Sequence, residues 1–161
     1  MAARISEMPL GLKVFLHTYR WRSISPVPWS PLKKELSEAN VALVSTAGFV
    51  ARGQEPFDRA LKGGDFTFRT LPKDTDVATL VDSHRSESFD HSGIRSDPNL
   101  AFPLNRLREM EQDGRIGRVN ERHWSFMGSI TAPGRLIAKT APEAAEQAVD
   151  DRVVAVLLVP V

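Results

Sequence analysis

Between Asp82 and Asn99 the chain carries Ser83, His84, Arg85, Glu87, Asp90, His91, Arg95 and Asp97, with Phe89 and Ile94 as the sizeable apolar side chains. So polar a stretch is unsuited to a core. As a functional loop it supplies an imidazole base, carboxylate partners and an arginine clamp for an anionic group. The plainer alternative is a solvated loop that bonds to itself. His84 and His91 have six residues between them, acids included, which matches no standard zinc spacing, so no metal site is expected. Further polar groups sit at the ends of apolar runs: Ser45 and Thr46 after Val41–Val44, and His123 and Ser125 before Phe126-Met127-Gly128. His123 either faces a crevice or caps the end of its strand.

The elements that must position these groups are marked by hydrophobic pattern. Val153–Val159 is apolar, β-branched and without alternation, and reads as a buried central strand. Val41–Val44 is a second apolar strand, running into Ser45-Thr46-Ala47-Gly48. That segment suits a ligand's polar groups, or is an ordinary strand-to-loop turn. Phe66–Leu71 alternates aromatic and polar residues as a half-buried strand does, and Pro72 stops it. Ile116–Trp124 reads as a strand bent at Gly117.

Helical spacing appears from Glu7 to Arg22 through Leu12, Phe15, Leu16 and Tyr19. Thr75–Val81 suits a short helical turn. Leu104, Leu107 and Met110 mark a helix that opens after Pro103 and ends near Gly114. Thr140-Ala141-Pro142-Glu143 fits a capping box, with Thr140 as N-cap of a helix presenting Ala144, Ala145, Ala148 and Val149 to the sheet. Residues 1–32 are therefore expected to form a helix and a proline-rich connector, and 33–161 an α/β domain. Helices between apolar strands predict right-handed crossovers and an α/β, three-layer fold: a mainly parallel sheet with flanking helices, incomplete at its C-terminus. In such a sheet the ends at Ser45–Gly48, His123–Gly128 and Pro160–Val161 meet at one edge, with the loop from His84 to Asn99 placed to close over them.

Composition narrows the function. A net charge of +1 over 161 residues leaves no electrostatic footprint for nucleic acid. No apolar run approaches the roughly 20 residues that span a bilayer, and no signal-peptide order opens the chain, so a cytoplasmic location is expected. The sequence has no cysteine, and with it no disulfide, thiolate metal site or cysteine nucleophile. It also contains no phosphate-binding loop, dinucleotide fingerprint or internal repeat.

Several phrases together resemble the selenoprotein B family of the glycine, sarcosine, betaine and D-proline reductases. They are VALVSTAG at Val41–Gly48, GGDFTFRTLP at Gly63–Pro72, SHRSESFDHSGIRSDPNLAFPLNRLRE at Ser83–Glu109, IGRVNERHWSFMG at Ile116–Gly128, and VVAVLLVPV at Val153–Val161. They cover most of the chain after about residue 25, in the family's order. One departure is Asn105, where Asp is the expected residue before Arg106-Leu107.

In that family selenocysteine, or cysteine in some members, follows the terminal apolar strand at once, and a further cysteine lies a few residues on at the start of a helix. The resemblance implies a selenolate that attacks the substrate's α-carbon and displaces the amine. Reduced thiols complete the turnover, and in some systems a pyruvoyl partner subunit activates the amine. A selenolate so placed gains stabilisation from backbone N–H groups and the helix dipole.

By the same resemblance the site is lined by His84, Asp90, His91 and His123 in proton-transfer or polar roles, and by Ser45, Thr46 and Ser125 as substrate contacts. The expected partners are a small amino-acid-like substrate, a thiol reductant and other reductase subunits, with no nucleic acid and no membrane. No cofactor is expected beyond selenocysteine after Val161. Three readings follow. The first is an oxidoreductase fragment lacking its reactive centre, truncated where a selenocysteine codon was taken as a stop. The second is a non-catalytic partner whose terminal strand another chain completes. The third is an unrelated His/Asp-dependent hydrolase using the His84–Asp97 cluster.

Overall fold

The computed structural model describes residues 8–19, 23–86 and 91–161. The chain divides into two compact units, residues 1–31 and 32–161. In the first, α1 (Leu10–Thr18) realises the helical spacing, with the Phe15 and Tyr19 rings 5.2 Å apart on successive turns.

The second unit is built on β1 (Asn40–Ser45), whose apolar run is buried on both faces. Next come β2 (Phe49–Val50), β3 (Phe68–Pro72), β4 (Val81–Asp82), α2 (His91–Ser96) and α3 (Leu104–Gln112). The chain ends with β5 (Arg118–Val119), β6 (Arg122–Phe126), α4 (Ala141–Asp150) and β7 (Ala155–Val159). β5, β6 and β7 all pair parallel with β1, while β3 runs antiparallel along β6. Since β7 occupies one side of β1 from Val41 to Ser45, β5 and β6 share the other. The sheet is mainly parallel, with β3 on one flank and β7 on the other. β2 and β4 form a separate antiparallel ribbon.

Period-two side chains divide the apolar residues between two faces. Val41, Leu43 and Leu71 pack with Ile94, Phe102, Leu104 and Leu107 from α2, α3 and the turn between them. Ala42, Trp124 and Phe126 pack with Ala144, and with Leu136 and Ala148 on the other side of the sheet. Helix, sheet and helix make the three layers expected from the pattern. Burying each large side chain such as Trp124 or Leu43 stabilises this sandwich by about 2 kcal/mol.

Three expectations need correction. The terminal strand lies at the sheet's edge rather than its centre. Among the described residues β7 pairs only with β1, and Val156, Leu157 and Leu158 are 42%, 40% and 68% exposed. Here a continuous apolar run reports neither how many neighbours the strand's backbone has nor which elements cover its side chains.

Thr140 is not an N-cap. A π-helical turn, Leu136–Thr140, runs straight into α4, and the Thr140 hydroxyl donates to the Phe66 carbonyl at 2.5 Å instead. Backbone N–H groups inside a continuous helix need no side-chain acceptor.

The strand expected over Ile116–Trp124 is broken at Asn120-Glu121. β1 advances four residues, from Asn40 to Val44, while its neighbour advances six, from Arg118 to Trp124. This bulge is pinned by polar bonds: Asn40 Nδ2 to Asn120 Oδ1 at 2.9 Å, Asn120 Nδ2 to Asp151 at 2.9 Å, and a two-pronged Arg122–Asp151 pair at 2.6 and 2.7 Å.

Candidate functional site

Parallel pairing brings the carboxyl ends of β1, β6 and β7 to one edge, the usual ligand edge of an open α/β sheet. Ser45 is in register with both Ser125 and Val159. One residue on, Thr46 joins the three strand ends. Its N–H donates to the Val159 carbonyl at 3.1 Å, its carbonyl accepts from Gly128 N–H at 2.8 Å, and its hydroxyl accepts from Val161 N–H at 2.8 Å. Thr46, Gly128, Met127, Phe126, Ile130 and Leu136 line an apolar cleft of about 300 Å³ beside this junction. A larger concavity of about 730 Å³ lies at the opposite end, around Pro72 and the Lys73–Glu111 ion pair. It holds none of the anticipated residues.

The polar loop is fixed to the same edge by β2 and β4. Ser83 N–H donates to the Gly48 carbonyl at 3.0 Å, and a side chain on Gly48 would meet the His84 backbone at 3.0 Å. Gly48 also has φ +67°, a second reason for glycine there. The two loop histidines are driven apart electrically. His84 is 3% exposed and its Nδ1 accepts from Ser86 N–H at 3.1 Å. Burial, and next the charge of His91, lower its pKa.

His91 faces two acceptors, the Ser86 carbonyl at 2.6 Å from Nε2 and Asp82 Oδ2 at 2.5 Å from Nδ1. The Ser86 carbonyl first and Asp82 second raise its pKa, favouring the charged ring, in which both nitrogens donate. Arg95 adds a 3.3 Å contact to the same carboxylate oxygen. The rings are 6.2 Å apart, one shifted toward the neutral form and the other toward the charged form. Such a split assigns different proton roles to two groups of one kind. Asp90, expected beside them, lies outside the described residues.

The remaining anticipated residues lie deeper. Ser45 is fully buried, donating to the Ala101 carbonyl at 2.6 Å and accepting from Ala47 N–H at 3.1 Å. It shapes the turn out of β1. Ser125 is fully buried too, and its hydroxyl has no partner among the described residues.

His123 neither faces the crevice nor caps a strand. It is fully buried inside the sheet, its Nδ1 accepting from Leu43 N–H at 3.1 Å, with Phe102 edge-on at 6.2 Å. The bulge displaces the carbonyl that would serve Leu43, and the imidazole takes its place. Burial first, then the charges of Arg108 and Lys73, bring its pKa to about 4. The edge thus gathers Thr46, His84 and His91, while His123 and Ser125 sit below it. Asp82, Gly48 and Gly128 were missed as site residues. A glycine closing each of two apolar strand phrases was the available signal, and for Asp82 there was none beyond its place at the loop's start.

No group of three His, Asp or Glu side chains among the described residues is arranged to hold a metal ion, and no described helix is long and apolar enough to cross a membrane.

The family profile described as glycine/sarcosine/betaine reductase selenoprotein B matches residues 10–161. The chain is 35% identical over 136 residues to the D-proline reductase subunit gamma of Acetoanaerobium sticklandii, covering 84% of this chain and 54% of that one. It is 32% identical over 111 residues to the glycine reductase complex component B subunit gamma of Carboxydothermus hydrogenoformans, covering 66% and 24%. To the sarcosine reductase complex component B subunit beta of Peptoclostridium acidaminophilum it is 29% identical over 140 residues, covering 82% and 30%. The chain spans about half the length of the first of these relatives and less of the others. No solved structure matches it. The chain belongs to the glycine/sarcosine/betaine reductase selenoprotein B family.

Proposed function

We propose that this member of the reductase family is the strand scaffold of an oxidoreductase subunit, holding a selenolate or thiolate borne directly after Val161. The observation that carries this reading is the junction of three parallel strand ends at Thr46, Gly128 and Val161, beside the loop that carries His84 and His91. The reaction is reductive cleavage of the C–N bond of a small amino-acid-like substrate. The chalcogen supplies the nucleophile that displaces the amine, and a thiol reductant completes the turnover.

In this scheme His91, the imidazole favoured in its charged form, is the proton source for the departing amine. His84, with Nδ1 occupied by Ser86 N–H, stays neutral and orients polar groups at the edge through Nε2. Ser45 holds the turn out of β1, and Asp90 is a further candidate for proton transfer or a polar contact. The relatives' names describe subunits of complexes, and we extend that to partner subunits here. A thiol-driven turnover places the protein in the reducing cytoplasm.

The test is a chain extended past Val161 and carrying selenocysteine or cysteine, incubated with dithiothreitol and glycine, sarcosine, betaine or D-proline, together with its partner subunits. Release of ammonia or amine from glycine, sarcosine or betaine, or ring opening of D-proline to an open-chain primary amine, supports the reading. Neither outcome with any of the four, with the reactive thiol shown to be intact, ends it. The exposed β7 edge favours a second reading, a binding subunit completed by a strand of another chain. A native mass equal to the monomer's would remove it.

A further inference from the structure

In a regular parallel ladder, the β1 residue that donates to Val159 would offer its own carbonyl to the N–H of Val161. Thr46 breaks this pattern. Its N–H does donate to the Val159 carbonyl at 3.1 Å, but its carbonyl turns the other way, to Gly128 N–H at 2.8 Å. The vacant ladder position is filled by the Thr46 hydroxyl, which accepts from Val161 N–H at 2.8 Å and donates to the Val161 carbonyl at 3.3 Å. The main chain of one residue thus serves β6 while its side chain serves β7. Gly128 completes the arrangement. A Cβ there would lie 2.8 Å from the Val161 carbonyl oxygen, 3.0 Å from the Thr46 carbonyl oxygen and 3.1 Å from the Thr46 hydroxyl. Any side chain at 128 would push Val161 or Thr46 aside.

We propose that Thr46 and Gly128 form a register clamp that carries the β1–β7 ladder past Pro160 and fixes the position of Val161 against β1 and β6. Thr46 is then a positioning residue, acting on the chain's own strand end and not as a ligand of the substrate. Where the reactive group follows Val161, as the proposed function has it, the clamp sets the place of that group beside the apolar cleft, and this part of the inference rests on that reading.

Amide exchange read by NMR on the 161-residue chain tests the clamp by itself. Thr46→Val should speed exchange of the Val161 amide about fivefold, as loss of an ordinary hydrogen bond does, while the amides of Leu157 and Val159 stay protected. Thr46→Ser should preserve it, and Gly128→Ala should reproduce the Thr46→Val result. Unchanged Val161 exchange in Thr46→Val, with the ladder amides still protected, overturns the clamp. So does an equal loss in Thr46→Ser.

A chain extended by cysteine at the next position supplies the chemical readout. The pH profile of iodoacetamide alkylation should shift in Thr46→Val and not in Thr46→Ser. A shift common to both, or absent from both, denies Thr46 its positioning role. If the exchange result holds and the extended chain turns over no substrate, the clamp stands and the proposed function falls.

Discussion

His91 and His123 carry one side chain into opposite surroundings. At the loop, His91 meets two acceptors, Asp82 and the Ser86 carbonyl, and is held charged. Inside the sheet, His123 meets one donor, Leu43 N–H, and an apolar wall, and is held neutral. A histidine at a strand end is therefore no signature of proton chemistry by itself. What decides is whether the neighbouring backbone offers oxygen or N–H.

The largest effect expected from this contrast is on folding. Replacing His123 by Ala removes a fully buried ring and strands the Leu43 amide, which should cost about 4 kcal/mol in urea unfolding. A cost under about 1 kcal/mol would mean that the imidazole is not filling the ladder.

Next comes pH. The folded-state pKa of His123, about 4, lies below its ordinary value of 6.5, so the unfolded chain binds the extra proton between those values. Stability from this group is fully present above about 6.5 and falls as pH drops toward 4, by about 3 kcal/mol. His123→Asn should flatten that slope, and an unchanged slope would assign it elsewhere.

His91 has the opposite sign. Its raised pKa gives a contribution that is full below 6.5 and is lost as pH climbs through the folded value. His91→Asn should therefore destabilise by about 1 kcal/mol at pH 6 and by less at pH 9, because the site is partly open to solvent. Equal losses at both pH values would show that charge plays no part. The smallest effect belongs to Arg95→Ala. That side chain is 68% exposed, and its removal should change stability by roughly 0.3 kcal/mol. A double-mutant cycle with Asp82→Asn measures it.

The same contrast explains what the sequence made legible. β1, α3 and the meeting of three strand ends were readable because hydrophobic period and turn residues are local properties. The role of His123 was not, since it depends on two additional residues at Asn120-Glu121 pairing against a strand 80 positions away. The edge position of β7 was hidden for a related reason: an apolar run is silent on backbone pairing, and on which elements cover the exposed side chains of Val156, Leu157 and Leu158. Thr140 misled because its hydroxyl found the Phe66 carbonyl, 74 positions away, which no capping pattern anticipates. His84 was expected on an exposed loop. It is buried against Gly48, so His84→Ala should be read with a folding control before any loss of turnover is assigned to proton transfer.

The central claim is that the three strand ends converge to place a reactive chalcogen beyond Val161, and the genomic reading frame tests it most directly. The frame is expected to continue through a UGA or cysteine codon immediately after Val161, with a further cysteine codon within a few triplets and an open frame long enough for at least another helix. A UAA or UAG codon there, or a UGA followed by a frame that closes without cysteine, would contradict it and leave the binding-subunit reading in front.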